Sequence, residues 1–519
     1  MMNLAFILES SAKDFPAKDA IVLGDTRLNF AQLNGAANQV ANALVKRGIQ
    51  KGDKIALSCL NIPYFPIVYY GILKAGAVVV PLSVLLKHNE VAYHLADSEA
   101  KAYFCFEGND ALPMGQQGFE GFNQAENCAH FYTITANPAA PSPFGNTETL
   151  GQLMNGASPV FDTVQTQEND TAVIIYTSGT TGHPKGAELS HSNLLMNAIM
   201  VRDMIQVVPE DVMLTVLPLF HIFGQSVQMN AGILTGSTNI LLPRFTPDDV
   251  FGLMLKEKVT FFAGVPTMYW ALTNAKISDE HIAIISKNMR VSVSGGASLP
   301  VKVLKDFEAK FEVPILEGYG MSEGSPVVTF NKLNRVRKPG SIGSAVWGVD
   351  VLLVDENDQP VPVGEKGELI YRGHNVMKGY YNKPEANAKT LKNGWLHSGD
   401  IAIMDEDGDY FIVDRIKDMI IRGGLNVYPR EVEEVLMKHP AISLVAVIGV
   451  EDEAMGEEIK ACVVLKEGHT ASPEEISAFA KEELAAYKYP RIVEIRPSLP
   501  MSATGKILKK VLRQEAKDA

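Results

Sequence analysis

The sequence predicts an α/β fold: a large N-terminal domain of two related αβ subdomains plus a β-rich subdomain, then a small α+β C-terminal domain. Three observations predict it. Apolar, β-branched runs alternate with helix-period segments through about the first 350 residues, the pattern of largely parallel sheets covered by helices. The segment GILKAGAVVVPL from Gly71 resembles GILTGSTNILLP from Gly232, which predicts two similar units packed face to face with a ligand cleft between them. After about Val346 short strands alternate with acidic turns. At 519 residues the chain also exceeds what one hydrophobic core usually serves, so more than one domain is expected.

In chain order, the opening MMNLAFILESSAKDFPAKDA is too briefly apolar for a signal peptide, and Glu9 stands where a cleavage region needs small neutral residues. The apolar stretch Leu57–Leu86 is broken by Pro63, Pro66, Lys74 and Pro81, so it reads as a buried helix and strand rather than a membrane span. Strands are expected at Ala77–Val80, Ala172–Ile175 and Val259–Phe262. Each copy of the repeat leads into a helical segment and a further strand, VAYHLADSEAKAYFCF and VFGLMLKEKVTFFAGVP. Residues Pro113–Asn155, rich in Gly, Pro, Asn and Gln, read as a long surface excursion. In AIMDEDGDYFIVDR, Asp407 and Gly408 suit a hairpin turn. From Arg415 onward, helices at Arg430–Lys438 and Pro473–Leu484 alternate with strands at Ala446–Val450 and Ala461–Leu465. A domain boundary is expected near Asp414–Lys417, dividing 1–414 from 415–519.

Composition narrows the function. With 47 Lys and Arg against 60 Asp and Glu, the formal charge is −13, which disfavours nucleic acid as a partner. The four cysteines, Cys59, Cys105, Cys128 and Cys462, are far apart and form no C-x-x-C pair. Neither a disulfide framework nor a zinc site is suggested, and a cytoplasmic location fits best.

The strongest local pattern is YTSGTTGHPKG, Tyr176–Gly186, after an apolar run. Glycines let the backbone curl, Thr177, Ser178, Thr180 and Thr181 offer hydroxyl donors, and Lys185 brings positive charge, so the loop can wrap a polyphosphate. It departs from the G-x-x-x-x-G-K-[ST] loop because Pro184 precedes Lys185 and Gly186 follows it, which weakens a kinase or motor-ATPase reading. Further segments follow in order: LPLFHIFG from Leu217, SGGASLP from Ser294, EGYGMSE from Glu317, HSGD from His397, DRIKDMIIRGGLNVYPREVE from Asp414 and PMSATGKIL from Pro500. With these motifs the chain resembles, over nearly its whole length, the adenylate-forming (AMP-binding) superfamily of acyl-CoA synthetases, peptide-synthetase adenylation domains and luciferases. It looks most like bacterial fatty-acid CoA ligases.

The resemblance implies an AMP-forming acid–thiol ligase of fatty-acid and lipid metabolism, using ATP, Mg2+ and coenzyme A. A carboxylate attacks the α-phosphorus of ATP, pyrophosphate leaves, and the acyl group passes to coenzyme A. Two anions must then be brought together, so positive charge and hydrogen-bond donors are needed. By resemblance, Lys506 bridges carboxylate and α-phosphate, Glu323 holds Mg2+ with Thr177, and Ser322, where the family more often has Thr, contacts the α-phosphate. His221 lies near the acyl carboxylate and the thiol path. The nucleotide is expected to meet Thr177, Ser178, Gly179, Thr180, Thr181, Lys185, Gly295, Gly296, Ala297, Glu317, Gly318, Tyr319, Gly320, Met321 and Ser322. Tyr319 would stack on adenine, and Asp400 would pair with the ribose hydroxyls beside Arg415. Lys417 corresponds to the hinge of a mobile small domain, and Gly423 and Gly424 to the coenzyme A tunnel. Taken alone, Lys506 reads as a surface lysine, Tyr319 as a core aromatic, Asp400 as a turn or cap residue and His221 as a core histidine.

The implied acyl pocket (Phe223, Gly264, Val265, Gly320, Met321, Val327) is mostly apolar, which suits a medium- or long-chain fatty acid or, alternatively, a coumarate-like aryl acid. Peptide-synthetase domains usually carry Asp after the Phe at the position of His221, so an amino-acid substrate is not expected. Transfer to a carrier protein and a luciferase-like oxygenase are the competing activities. A homodimer is the assembly to test for.

Overall fold

The computed structural model describes residues 2–177 and 183–518. Two parallel-rich sheets, of nine and eight strands, organise the large domain. In one, Lys54–Ser58 lies between Val78–Pro81 and Ala100–Phe106, all parallel. In the other, Val212–Thr215 lies between Thr238–Leu241 and Phe261–Gly264, again all parallel. The connecting helices correspond too: Tyr64–Lys74 and His88–Asp97 in the first unit, Gly224–Asn230 running into Ala231–Thr235 and then Pro247–Lys256 in the second.

The internal repeat is therefore structural. Each copy ends the first helix of its unit and forms the second strand. Gly76 (φ +74°) and Gly236 (φ +77°), one position apart in the two copies, turn the chain from helix to strand in the left-handed conformation that favours glycine. Val78–Pro81 is buried at every residue, as a strand covered on both faces must be. The units meet through their first helices, where Tyr70 Oη donates to Asn230 Oδ1 at 2.8 Å. Nearby, Asn61 Nδ2 donates to the Leu217 carbonyl at 2.9 Å.

The segment Pro113–Asn155 corrects the expectation of a surface excursion. It holds a helix, Met114–Gln124, and a strand, His130–Ile134, that extends the eight-stranded sheet parallel to Ala100–Phe106. Its glycines are a packing face. A Cβ at Gly115 would lie 2.3 Å from the Glu107 carbonyl, at Gly118 2.6 Å from Cys105 Sγ, and at Gly121 2.7 Å from the His88 carbonyl.

A five-stranded antiparallel sheet follows, including Val349–Val354, Gly367–Gly373, Trp395–Met404 and Tyr410–Arg415. Its acidic hairpin is closed by Asp405, whose Oδ1 accepts from the N–H groups of Asp407 and Asp409 at 3.0 Å each. After a 3-10 turn, Ile416–Asp418, the small domain builds another five-stranded sheet around the antiparallel pair Ile442–Asp452 and Gly456–Leu465. Helices Pro429–Leu436, Pro473–Glu483 and Lys509–Asp518 accompany it. All four cysteines are buried and free. Among the described residues, no helix is long and apolar enough to cross a membrane.

Candidate active site

The antiparallel sheet places Asp400 directly across from Arg415. Arg415 Nε lies 3.1 Å from Asp400 Oδ1, and Tyr319 Oη donates to Asp400 Oδ2 at 2.6 Å. Tyr319 comes from Ile315–Gly320, the last parallel strand of the nine-stranded sheet, so this pair ties the two sheets together. Burial and the adjacent Asp400 carboxylate push the Tyr319 phenol well above its usual range.

Lys506 sits in a tight turn of the small domain. Ser502 N–H donates to the Lys506 carbonyl at 2.7 Å, Lys506 N–H donates to Ser502 Oγ at 3.1 Å, and Gly505 takes φ +77°. The turn docks on the large domain, where Thr267 Oγ1 donates to the Gly505 carbonyl at 3.0 Å. A side chain at 505 would meet Thr267 Oγ1 and Val265 Cγ2, each 3.0 Å from its Cβ. Burial pushes the Lys506 ammonium down to about 8; Arg415 and Lys417 add repulsion, opposed by Asp400 and Glu323. Burial, and then the charge of Lys506, push His221 down to about 4. His221 Nδ1 accepts from the Phe223 N–H at 3.2 Å, so the neutral ring carries its proton on Nε2.

Glu323 lies in the 3-10 turn Ser322–Gly324 and is only 6% exposed. Tyr380 Oη donates to its Oε1 at 2.7 Å, and Lys185 Nζ stands 5.2 Å from the Tyr380 ring centroid. Lys185 is the cross-strand partner of Thr177, so both flank the mouth of the predicted phosphate loop. Ser178, Gly179, Thr180 and Thr181 lie outside the described residues. No group of three or more His, Cys, Asp or Glu side chains able to hold a metal occurs among the described residues. A single carboxylate with one oxygen held by Tyr380 fits Mg2+, which commonly takes one or two protein oxygens and completes its shell with water and substrate phosphates.

The glycine-rich loops converge beside this cluster. A Cβ at Gly295 would lie 3.2 Å from Phe223 Cζ and 3.4 Å from the Gly318 carbonyl, and one at Gly296 3.7 Å from Val265 Cγ1. Gly320 is packed against the Pro326 carbonyl, which also accepts from the Met321 N–H at 3.0 Å, next to buried Val327. Gly264 lies against Phe262 and Tyr269, and Ala297 is exposed. The Glu317 side chain is turned to its own scaffold: its Oε1 accepts from the Leu299 N–H at 2.9 Å. Burial pushes that carboxyl up to about 7, against the pull of Arg430 and the Leu299 N–H.

Lys417 is exposed near Arg415, and partial desolvation followed by the Arg415 charge lowers its affinity for a proton. Gly423 and Gly424 occupy an exposed hairpin turn, with Met455 Sδ 3.3 Å from where a Cβ at Gly423 would stand. Tyr380, which holds Glu323, was not expected from the sequence; its partner is 57 residues away and no local pattern marks it.

Residues 8–381 match the family model described as AMP-binding enzyme, and residues 431–506 that described as AMP-binding enzyme C-terminal domain. A long-chain-fatty-acid–CoA ligase of Bacillus subtilis is 38% identical, over 99% of this chain and 94% of that protein. A feruloyl-CoA synthase of Amycolatopsis sp is 35% identical over 97% of each chain. The crystal structure of ATP-bound MatB from Rhodopseudomonas palustris, 32% identical, overlays with a TM-score of 0.90 across 100% of this chain and 99% of that one. The apo form of the same protein, 33% identical, overlays with a TM-score of 0.79 across 100% and 99% of the two chains. The chain therefore belongs to the AMP-binding enzyme family, as an ATP-dependent, AMP-forming acid–thiol ligase of the acyl-CoA synthetase type.

Proposed function

We propose that the chain activates a medium- or long-chain fatty acid as its acyl-adenylate and transfers the acyl group to coenzyme A, with the cluster around Lys506 performing the first step. The observation that carries this is the meeting of Lys506 with Arg415, Asp400, Glu323 and His221, which lie far apart in sequence. In this reading the Lys506 ammonium offsets the negative charge of carboxylate and α-phosphate as they approach. Ser322 adds a hydroxyl, and Lys185 with the loop at 177–181 cradles the outgoing pyrophosphate. Glu323 and Thr177 hold Mg2+, which supplies charge neutralisation when bound. Asp400 and Arg415 hold the ribose, while Tyr319 and the Gly295–Ala297 loop border adenine. His221 is a neutral group near the carboxylate, with its Nε2–H free to donate. The cytosol is the compartment that suits this chemistry and four free thiols.

The apolar residues Phe223, Val265, Met321 and Val327 support an alkyl chain. An aryl acid is the second reading, favoured by the feruloyl-CoA synthase relative. The better overlay on the ATP-bound than on the apo relative supports a small domain, 415–519, that rotates about Lys417. Rotation would withdraw Lys506 and bring Gly423 and Gly424 to the thiol path. Lys506→Ala should lower acid-dependent pyrophosphate release by about 10²–10³-fold. It should leave coenzyme A thioester formation from supplied acyl-adenylate within a few-fold of wild type; equal loss of both steps contradicts the assignment.

A further inference from the structure

Helix Pro429–Leu436 of the small domain opens without a cap of its own. Its N-cap position is Tyr428, which makes no side-chain cap bond, and Pro429 follows at the first helical position. The next N–H, that of Arg430, is met from the large domain by Asp414 Oδ2 at 2.9 Å. Asp414 is buried in the strand Tyr410–Arg415, just before the turn that holds Lys417, and its other oxygen accepts from the Arg415 N–H at 2.8 Å. A small-domain helix is thus capped by a large-domain side chain that also fixes the backbone of a site residue.

The first turn of this helix is gripped on two sides. Arg430 Nη1 donates to the Ile412 carbonyl on the same strand. Arg430 also acts on Glu317: burial raises that carboxyl and the Arg430 charge opposes the rise. Glu434, one turn further along, is raised by burial and drawn back by Arg430 and by the N–H of Val301, the first residue of the large-domain helix Val301–Phe311. On the other side Lys366 Nζ of the large domain stands 4.0 Å from the Tyr428 ring centroid, within cation–π range. These contacts join the two domains in the arrangement that sets Lys506 beside Arg415, Asp400 and Glu323, and none of them involves the Lys506 turn itself.

We propose that Arg430 is a positioning residue for acyl-adenylate formation: it latches the first turn of helix Pro429–Leu436 to Ile412 and Glu317, and so holds the small domain in the orientation that presents Lys506. Arg430 acts through Lys506 rather than on the reactants. The inference rests on the reading of a small domain that rotates about Lys417, which supplies the second orientation. Rotation carries the helix away from Ile412, Glu317 and Lys366, so the latch weighs on the adenylating orientation alone. Two orientations of similar free energy respond to the loss of one charge-assisted contact that only one of them makes.

The test measures both half-reactions of the full chain in Arg430→Met, which keeps helix propensity and removes the guanidinium. Acid-dependent pyrophosphate release should fall about 3- to 10-fold, while coenzyme A thioester formation from supplied acyl-adenylate stays unchanged or rises. Arg430→Lys, which keeps the charge toward Glu317, should recover part of the loss. Equal loss of both half-reactions, or undiminished pyrophosphate release, overturns the proposal. Should Arg430→Met fail to fold, Arg430→Lys must show a smaller split in the same direction, and its absence there overturns the proposal as well. Lys506→Ala run alongside keeps the readings apart. Equal loss of both steps in that variant contradicts the rotating-domain reading and this proposal with it, whereas a split there and none in Arg430→Met removes the latch alone.

Discussion

Lys506 holds its proton less tightly than an ordinary lysine because it is partly desolvated and repelled by Arg415 and Lys417. With an ammonium pushed down to about 8, the free enzyme loses that charge as pH rises through 8. The kcat/KM for ATP in pyrophosphate release should therefore show an alkaline limb near pH 8, and Lys506→Arg, which stays protonated, should abolish the limb at reduced activity. Persistence of the limb in Lys506→Arg would assign it elsewhere. His221, pushed down to about 4, should contribute no acid limb above pH 5. Glu317 affects stability instead. Its carboxyl is raised from 4.5 to about 7 in the fold, so the unfolded chain gives up this proton first. Stability then falls as pH rises between those values and levels off above, by up to about 3 kcal/mol. Glu317→Gln keeps an acceptor for the Leu299 N–H and should flatten that slope, raising Tm at pH 8 more than at pH 5 in thermal melts. A slope identical to wild type would show that the carboxyl is already ionised in the fold.

The helix Met114–Gln124 has no local sequence signature, because its glycines serve packing. Its glycines at 115, 118 and 121 recur every three residues, and each replaces a side chain that would collide with a neighbour. Glycine every third residue in a polar context looks like loop until the partner surface is known. Gly115→Ala would press a methyl against the Glu107 carbonyl and should destabilise the protein by about 1–3 kcal/mol, read as a lower Tm. A Tm unchanged from wild type would mean that the helix packs less closely. The repeat was legible for the opposite reason: each copy carries its helix end, its positive-φ glycine and its buried strand within a single local run. The hairpin around Gly408 was legible likewise, since Asp405 and Gly408 close it from within.

At the scale of the molecule, two similar αβ units, an antiparallel sheet and a small domain each contribute one edge of the site. The motifs that name its residues were readable because each is a local backbone device: a glycine loop, a strand end, a tight turn. Their meeting was not, because Tyr380 on Glu323 and Thr267 on Gly505 are contacts between distant segments with no periodic trace. Thr267→Val removes a hydrogen bond holding the Lys506 turn and should slow pyrophosphate release about 3- to 10-fold with little change in Tm; an unaffected rate would mean that the turn docks without it. The most direct test of the role given to Lys506 in acyl-adenylate formation is pyrophosphate release with ATP, Mg2+ and a panel of alkanoic and aryl acids, with and without coenzyme A, on wild type and Lys506→Ala. Acid-dependent release should become sustained turnover with coenzyme A and collapse in the variant. Release that ignores coenzyme A, or survives the loss of Lys506, would contradict it.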